Sequence, residues 1–113
     1  MQTSPDLIYH ITPIKEWEAA QAAGSYHAAS LDSEGFMHAS TSAQIVHTAN
    51  HYYRGQHWLA LLSIDPRKVR AEIRYENLAG GKECFPHIYG PLVLEAVVRV
   101  ELIEPGPDGT FSA

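Results

Sequence analysis

Apolar and polar positions at the start of the chain predict a strand that runs directly into a helix. Residues 7–11 (LIYHI) form a short apolar run, which is typical of a buried strand. Thr12 and Pro13 come next, a hydroxyl residue that can cap a helix and a proline that suits the first helical position. Apolar residues at helical spacing continue to Gly24, where we expect the helix to end.

The same order of strand, hydroxyl residue and helix is repeated between residues 36 and 55. Residues 36–39 (FMHA) predict a strand, and residues 40–42 (STS) can cap a helix over residues 43–54 that Gly55 closes. The intervening residues 25–35 are small and polar, which predicts a loop with one short turn.

The second half of the chain has the pattern of strands and turns. We expect strands over residues 58–64, 72–75, 85–89 and 97–103. A turn-rich loop should cover residues 77–81, and residues 104–113 have the composition of a mobile tail. Two helices in the first half, followed by most of the strands, predict an α+β fold: the helices pack on a mostly antiparallel core of about five or six strands.

Length and charge narrow the class of protein. A chain of 113 residues with 45% apolar residues fits a single globular domain over residues 1–113, with its core at residues 7–103. Eight Lys and Arg residues against thirteen Asp and Glu residues give a formal charge of −5. Since non-specific binding to nucleic acid depends on clustered positive charge, this composition argues against it.

The same composition predicts a cytoplasmic protein. Cys84 is the one cysteine, so it cannot form a disulfide within the chain. The first ten residues lack the basic and apolar regions of a secretory signal, and no apolar run is long enough to span a membrane. We therefore expect no membrane partner.

Histidine is the residue type that points most directly to a site. Of seven histidines, three (His10, His38 and His87) lie in short predicted strands between apolar or aromatic neighbours. The first two come just before hydroxyl residues and a predicted helix N-terminus, where free backbone N–H groups favour an anion. A histidine in an apolar strand can equally be a core residue bonded to the backbone, so the sequence leaves both readings open.

Two zinc arrangements are also conceivable. His47 and His51 lie four apart on the second predicted helix, a spacing that can bind zinc, although the usual glutamate is missing and a solvated helix face is the simpler explanation. A site formed by His10, His38 and His87 is a second alternative, because imidazole is a common zinc ligand. We rank it below a ligand pocket without metal.

Four segments give the chain a family resemblance. They are IYHIT at residues 8–12, GFMHAST at 35–41, NHYYRG at 50–55 and FPHIYGPL at 85–92. Together they resemble an uncharacterised bacterial family, domain of unknown function 952, over residues 7–100. That family looks like a compact relative of the ADP-ribosyltransferase superfamily, so the resemblance implies an ADP-ribosylation-like fold with a split β core.

The superfamily resemblance implies roles for the candidate residues. His10 and Thr12 would contact the ribose and amide of NAD, and His38 with Ser40 would match the second core strand. His87 and Tyr89 fall in the third motif, where the superfamily often has a glutamate. His38 or His87 would then be the catalytic acid or base, while His10, Thr12, Ser40 and Tyr89 would bind the cofactor.

The function implied is binding of NAD, ADP-ribose or a related nucleotide or sugar phosphate by a transferase without the usual glutamate. The alternative is a binding or interaction module that kept the fold and lost the chemistry. No metal ligand is assigned in either case.

Overall fold

The computed structural model describes residues 1–78 and 80–113, with three α-helices and nine short strands in that part of the chain. The helices are α1 (Ile14–Ala23), α2 (Ala29–Ser33) and α3 (Ile45–Tyr52). The strands are β1 (Ile8–Pro13), β2 (Ser25–Tyr26), β3 (Met37–His38), β4 (Ser40–Thr41), β5 (Leu59–Ile64), β6 (Ile73–Glu76), β7 (Phe85–Ile88), β8 (Leu92–Val93) and β9 (Val97–Ile103). None of the helices in this part is long and apolar enough to cross a membrane.

The strands form three separate antiparallel sheets. The largest has the order β4-β1-β5-β9, a second has the order β3-β7-β6, and β2 pairs with β8. The pairing of β3 with β7 sets His38 directly opposite His87. The predicted α+β class and antiparallel pairing are therefore confirmed.

Strand β5 is the centre of the fold, and all six of its residues are buried. Leu59 and Leu61 pack with Tyr9 and α3 on one face. The other face packs with Trp17 of α1 and is formed by Ala60, Leu62 and Ile64. Side chains of a strand alternate between two faces, so coverage of both faces explains why five of the six residues of β5 are apolar.

The helices differ from the prediction in number and in how they begin. We predicted two helices, but α2 and β2 occupy the region expected to be a loop. Thr12 does not cap α1, because β1 continues through Pro13 and no side chain caps that helix. Gly24 does end α1, with a left-handed φ of 88° that suits glycine.

Helix α3 is shorter than the predicted span of residues 43–54. It starts after Gln44, and no side chain caps it. The turn before the helix is held by Gln44, whose Oε1 accepts a hydrogen bond from the Thr41 amide. Ser40 and Thr41 instead form β4, and Ser42 lies in the turn that follows it.

The structure has more strands than the five or six expected. The additional ones are among the two-residue strands β2, β3, β4 and β8. Such short strands carry too little pattern to be recognised before their partners are known. The predicted loop over residues 77–81 includes Ala79, which lies outside the described residues.

The C-terminal segment is packed on the fold, although we expected residues 104–113 to be a mobile tail. Phe111 is buried in the cluster that contains Tyr9 and Ile45. The Asn50 side chain bonds both polar groups of the Phe111 backbone, donating to the carbonyl at 3.0 Å and accepting from the amide at 2.6 Å. This pairing ties the segment to α3.

Candidate functional site

A cavity of about 690 Å³ lies where the two larger sheets meet α1 and α3. This volume is within the range of small-molecule sites. Five of the six candidate residues line it, and these are His10, Thr12, His38, Ser40 and His87. Tyr89 is not part of the lining. Segments far apart in sequence therefore converge on one cavity.

His10 joins three strands through its ring. Its Nδ1 lies 2.5 Å from the carbonyl oxygen of His38, and its Nε2 lies 2.9 Å from the hydroxyl of Tyr26. A carbonyl oxygen only accepts hydrogen bonds, so Nδ1 carries a hydrogen. Burial lowers the pKa of His10, which favours the neutral ring at pH 7. Because both nitrogens have protein partners, His10 positions the strands rather than presenting a free nitrogen to a ligand.

The contacts of His10 continue through two hydroxyl groups to a carboxylate. The Tyr26 hydroxyl donates to Thr12 Oγ1 at 2.9 Å, and Thr12 donates to Glu16 Oε2 at 2.9 Å. Burial raises the pKa of Tyr26 to about 12, so this group remains a phenol. The Thr12 hydroxyl is thus held within the protein and is not directed to a helix N-terminus.

His87 and Glu76 form a carboxylate–histidine pair on neighbouring strands. His87 Nδ1 donates to Glu76 Oε1 at 3.0 Å, and the Tyr89 hydroxyl donates to the same oxygen at 2.5 Å. These hydrogen bonds, that of Tyr89 first, lower the pKa of Glu76, so the carboxylate is ionised at neutral pH. Tyr89 therefore contributes to the site through Glu76.

The second nitrogen of His87 is open to the cavity. With a hydrogen on Nδ1, the neutral ring has a lone pair on Nε2. The described residues include no partner for this nitrogen, and among them no buried side-chain nitrogen or oxygen lacks one. Since His87 as a residue is only 5% exposed yet lines the cavity, Nε2 is accessible from the cavity itself.

His38 has a carboxylate partner of its own. Its Nε2 donates to Glu34 Oε2 at 2.9 Å, and both side chains are about half exposed. The His38 and His87 rings lie 5.5 Å apart, edge to face. Phe36 stacks on the His87 ring at 4.3 Å and meets the edge of the His38 ring at 4.9 Å, which restricts the orientation of both.

Ser40 faces the cavity from β4, but its hydroxyl is also engaged. Ser40 Oγ lies 2.8 Å from Thr48 Oγ1 on α3. The arrangement links β4 to the helix behind it. A ligand would have to share or replace this bond to contact the Ser40 hydroxyl.

The sequence did not indicate the partners of the three histidines. The residues that contact them are Tyr26, Glu34, Phe36 and Glu76, and Glu16 is linked to His10 through Thr12 and Tyr26. Glu16 and Glu34 lie four residues from Thr12 and His38 in the sequence, but that spacing indicates a contact only within a helix, and Thr12 and His38 lie on strands. Glu76 reaches His87 only through the pairing of β6 with β7, which sequence spacing alone does not supply.

The geometry does not favour the zinc alternatives. Over residues 1–78 and 80–113, no three His, Cys, Asp or Glu side chains are grouped so that they could hold a metal ion. His47 and His51 lie on an exposed face of α3 with their rings stacked at 6.1 Å.

Comparison with known proteins identifies the family. Residues 11–100 match the family described as "Protein of unknown function (DUF952)". The chain belongs to the DUF952 family. This confirms the family that the four sequence segments predicted.

The DUF952 chain is also similar to solved structures of protein CC0527 from Caulobacter crescentus. A crystal structure of CC0527 is 34% identical, with a TM-score of 0.84, and the match covers 94% of this chain and 93% of that one. A crystal structure of a double mutant gives the same values. The solution NMR structure is 33% identical over 95% of this chain and 92% of that one, with a TM-score of 0.75.

None of the curated proteins matches this DUF952 chain. Neither the family's description nor the name of CC0527 states an activity.

Proposed function

We propose that this DUF952 protein binds a nucleotide or sugar ligand of the NAD and ADP-ribose class in the cavity and acts on it by acid–base chemistry. The observation that carries the proposal is the meeting of His10, His38 and His87 at one cavity, each linked to a carboxylate. His10 is linked indirectly, whereas the other two histidines contact their carboxylates.

His87 is the general base in this proposal. The Glu76 carboxylate fixes the ring with a hydrogen on Nδ1 and stabilises the imidazolium that forms when Nε2 takes a proton. The same His87 Nε2 then returns that proton to the leaving group, while His38, whose Nε2 hydrogen is on Glu34, positions the substrate through an accepting Nδ1. Both histidines thus have an orienting partner, as acid–base catalysis requires.

Glu76 also bears on the resemblance to ADP-ribosyltransferases. The third motif has His87 where that superfamily often has a glutamate, but Glu76 brings a carboxylate to the cavity from the neighbouring strand. A negative charge near the ribose can stabilise the cationic sugar that forms as nicotinamide leaves. This position supports a transferase in which the carboxylate comes from β6.

A binding module without turnover is the second candidate. The observation that favours it is the full use of polar groups on β1 and β4, since His10, Thr12 and Ser40 all bond protein partners. Fewer groups then remain to act on a ligand. Release of nicotinamide from NAD by the purified protein would exclude this candidate.

The test is a titration with NAD and with ADP-ribose, followed by two-dimensional NMR of backbone amides and histidine rings. We expect saturable shifts near His38 and His87. The His87→Gln variant should bind the same ligands about tenfold more weakly or worse. His47→Gln is the matched control, because it removes an exposed histidine from the other side of α3. Unchanged affinity in His87→Gln would refute the assignment of the site.

Turnover is measured in the same samples as released nicotinamide. The proposal predicts that Glu76→Gln lowers release while NAD still binds. Binding without any release in the wild-type protein would leave the module as the function.

A further inference from the structure

The polar atoms that His38, His87 and their glutamate partners leave open to the cavity are hydrogen-bond acceptors. His87 uses its Nδ1 hydrogen on Glu76, so Nε2 can only accept from a ligand. His38 uses its Nε2 hydrogen on Glu34, so the neutral ring offers an accepting Nδ1. The glutamates themselves, when ionised, only accept.

The charges along the cavity have one sign. Glu16, Glu34 and Glu76 line it, and no Lys or Arg is found among the described residues that do so. Arg74 is nearby, but its guanidinium pairs with Glu72 at 2.9 Å and lies over the ring of Tyr89, outside the lining. A phosphate group beside His38, His87 and Glu76 would therefore meet lone pairs and carboxylates with no cation to balance it.

Aromatic side chains form part of the remaining lining. Phe36 stacks on His87, and Tyr9 and Tyr53 line the cavity as well. Aromatic faces pack against the rings of a ligand and attract positive charge. Such walls suit an uncharged or cationic ring or sugar.

We infer that the cavity recognises its ligand through a hydrogen-bond-donating, uncharged or cationic group, a sugar hydroxyl or an amine, and excludes phosphate from the wall formed by His38, His87 and Glu76. The inference rests on the proposed function for the location of the site and specifies which end of the ligand enters. Any phosphate of a nucleotide ligand would then remain outside this wall.

The experiment compares two matched pairs of probes: adenosine with adenosine monophosphate, and glucosamine with glucosamine 6-phosphate. The readout is the ring signals of His38 and His87 in the NMR titration. We expect the member without phosphate to bind at least about tenfold more tightly than its phosphorylated partner. Glu76→Gln places an amide donor at this wall. The ratio of affinities between the probe without phosphate and its phosphorylated partner should then fall to about threefold or less.

Glu104→Gln is the matched control, since Glu104 pairs with His57 at 3.1 Å among residues that do not line the cavity. It should keep the full preference. If glucosamine binds more tightly than glucosamine 6-phosphate while neither adenosine probe binds, the inference is supported and a nucleotide ligand is refuted. Equal or tighter binding of the phosphorylated members, or no ring shifts with any probe at about 20 mM, would overturn the inference.

Discussion

Replacement of His10 by glutamine should change how the stability of the protein depends on pH. Burial is the largest influence on His10 and lowers its pKa below the ordinary value of 6.5, although the hydrogen bond to His38 opposes the effect. The groups that face His10 are His38 on β3, Tyr26 on β2 and Glu16 on α1. A neutral glutamine keeps a donor and an acceptor there and removes the titration.

The sign and size follow from proton linkage. Because the folded state holds the proton more weakly, the contribution of neutral His10 is complete above pH 6.5 and is lost as the pH falls through the lowered value. In that window the unfolded chain binds up to one more proton than the folded protein. The free energy of unfolding can then fall by at most about 1.4 kcal/mol per pH unit on account of His10.

The assay is urea unfolding followed by tryptophan fluorescence at pH 8, 7, 6 and 5. At pH 8 we expect His10→Gln to be about 1–3 kcal/mol less stable, because it loses well-placed hydrogen bonds. This gap should narrow steadily as the pH falls below 6.5. His47→Gln, at an exposed position, should stay parallel to the wild type. A constant gap between wild type and His10→Gln would refute the reasoning.

Three further predictions concern stability and use the same unfolding assay. Phe111→Ala should cost about 3 kcal/mol, because Phe111 is buried in the core rather than in a free tail, and a loss below about 0.5 kcal/mol would contradict the observed packing. Gly90→Ala should cost about 1–3 kcal/mol, since its Cβ would lie 2.9 Å from Cβ of Ala71, whereas Gly81→Ala has open space and should have little effect; equal effects would rule out the clash. Trp58→Gly should stabilise the fold by up to about 1 kcal/mol, because Trp58 is 74% exposed and has a φ of 62°, and a destabilised variant would show that its side chain contributes contacts.

The elements that could be predicted are those whose pattern is local. The run at residues 58–64 predicted β5 because a strand covered on both faces is mostly apolar, and here Ser63 is the one polar residue. Trp58, which has a left-handed backbone, lies outside the strand. Gly24 ended α1 as expected. The pairs β2–β8 and β1–β4 could not be predicted, because each is stabilised by a partner distant in sequence and only two residue pairs long.

The candidate site shows the same division. The sequence contexts of His10, His38 and His87 selected residues that do share a cavity. Their chemical state, however, depends on partners supplied by strand register and side-chain packing, such as Glu76 beside His87. Whether a ring nitrogen is free or engaged is decided by those contacts, and no spacing in the sequence encodes them.

The linked contacts between β1, β2 and α1 have a consequence for where hydrogens can be. Four contacts connect the His38 carbonyl to the Glu16 carboxylate through His10, Tyr26 and Thr12. Both ends only accept, while a neutral imidazole, a phenol and an alcohol provide one hydrogen each, three in total. One contact is therefore without a hydrogen, and because Tyr26 donates to Thr12, it is the contact between His10 Nε2 and the Tyr26 oxygen. A proton that arrives at Nε2 supplies the missing hydrogen, so protonation of His10 completes this chain of hydrogen bonds.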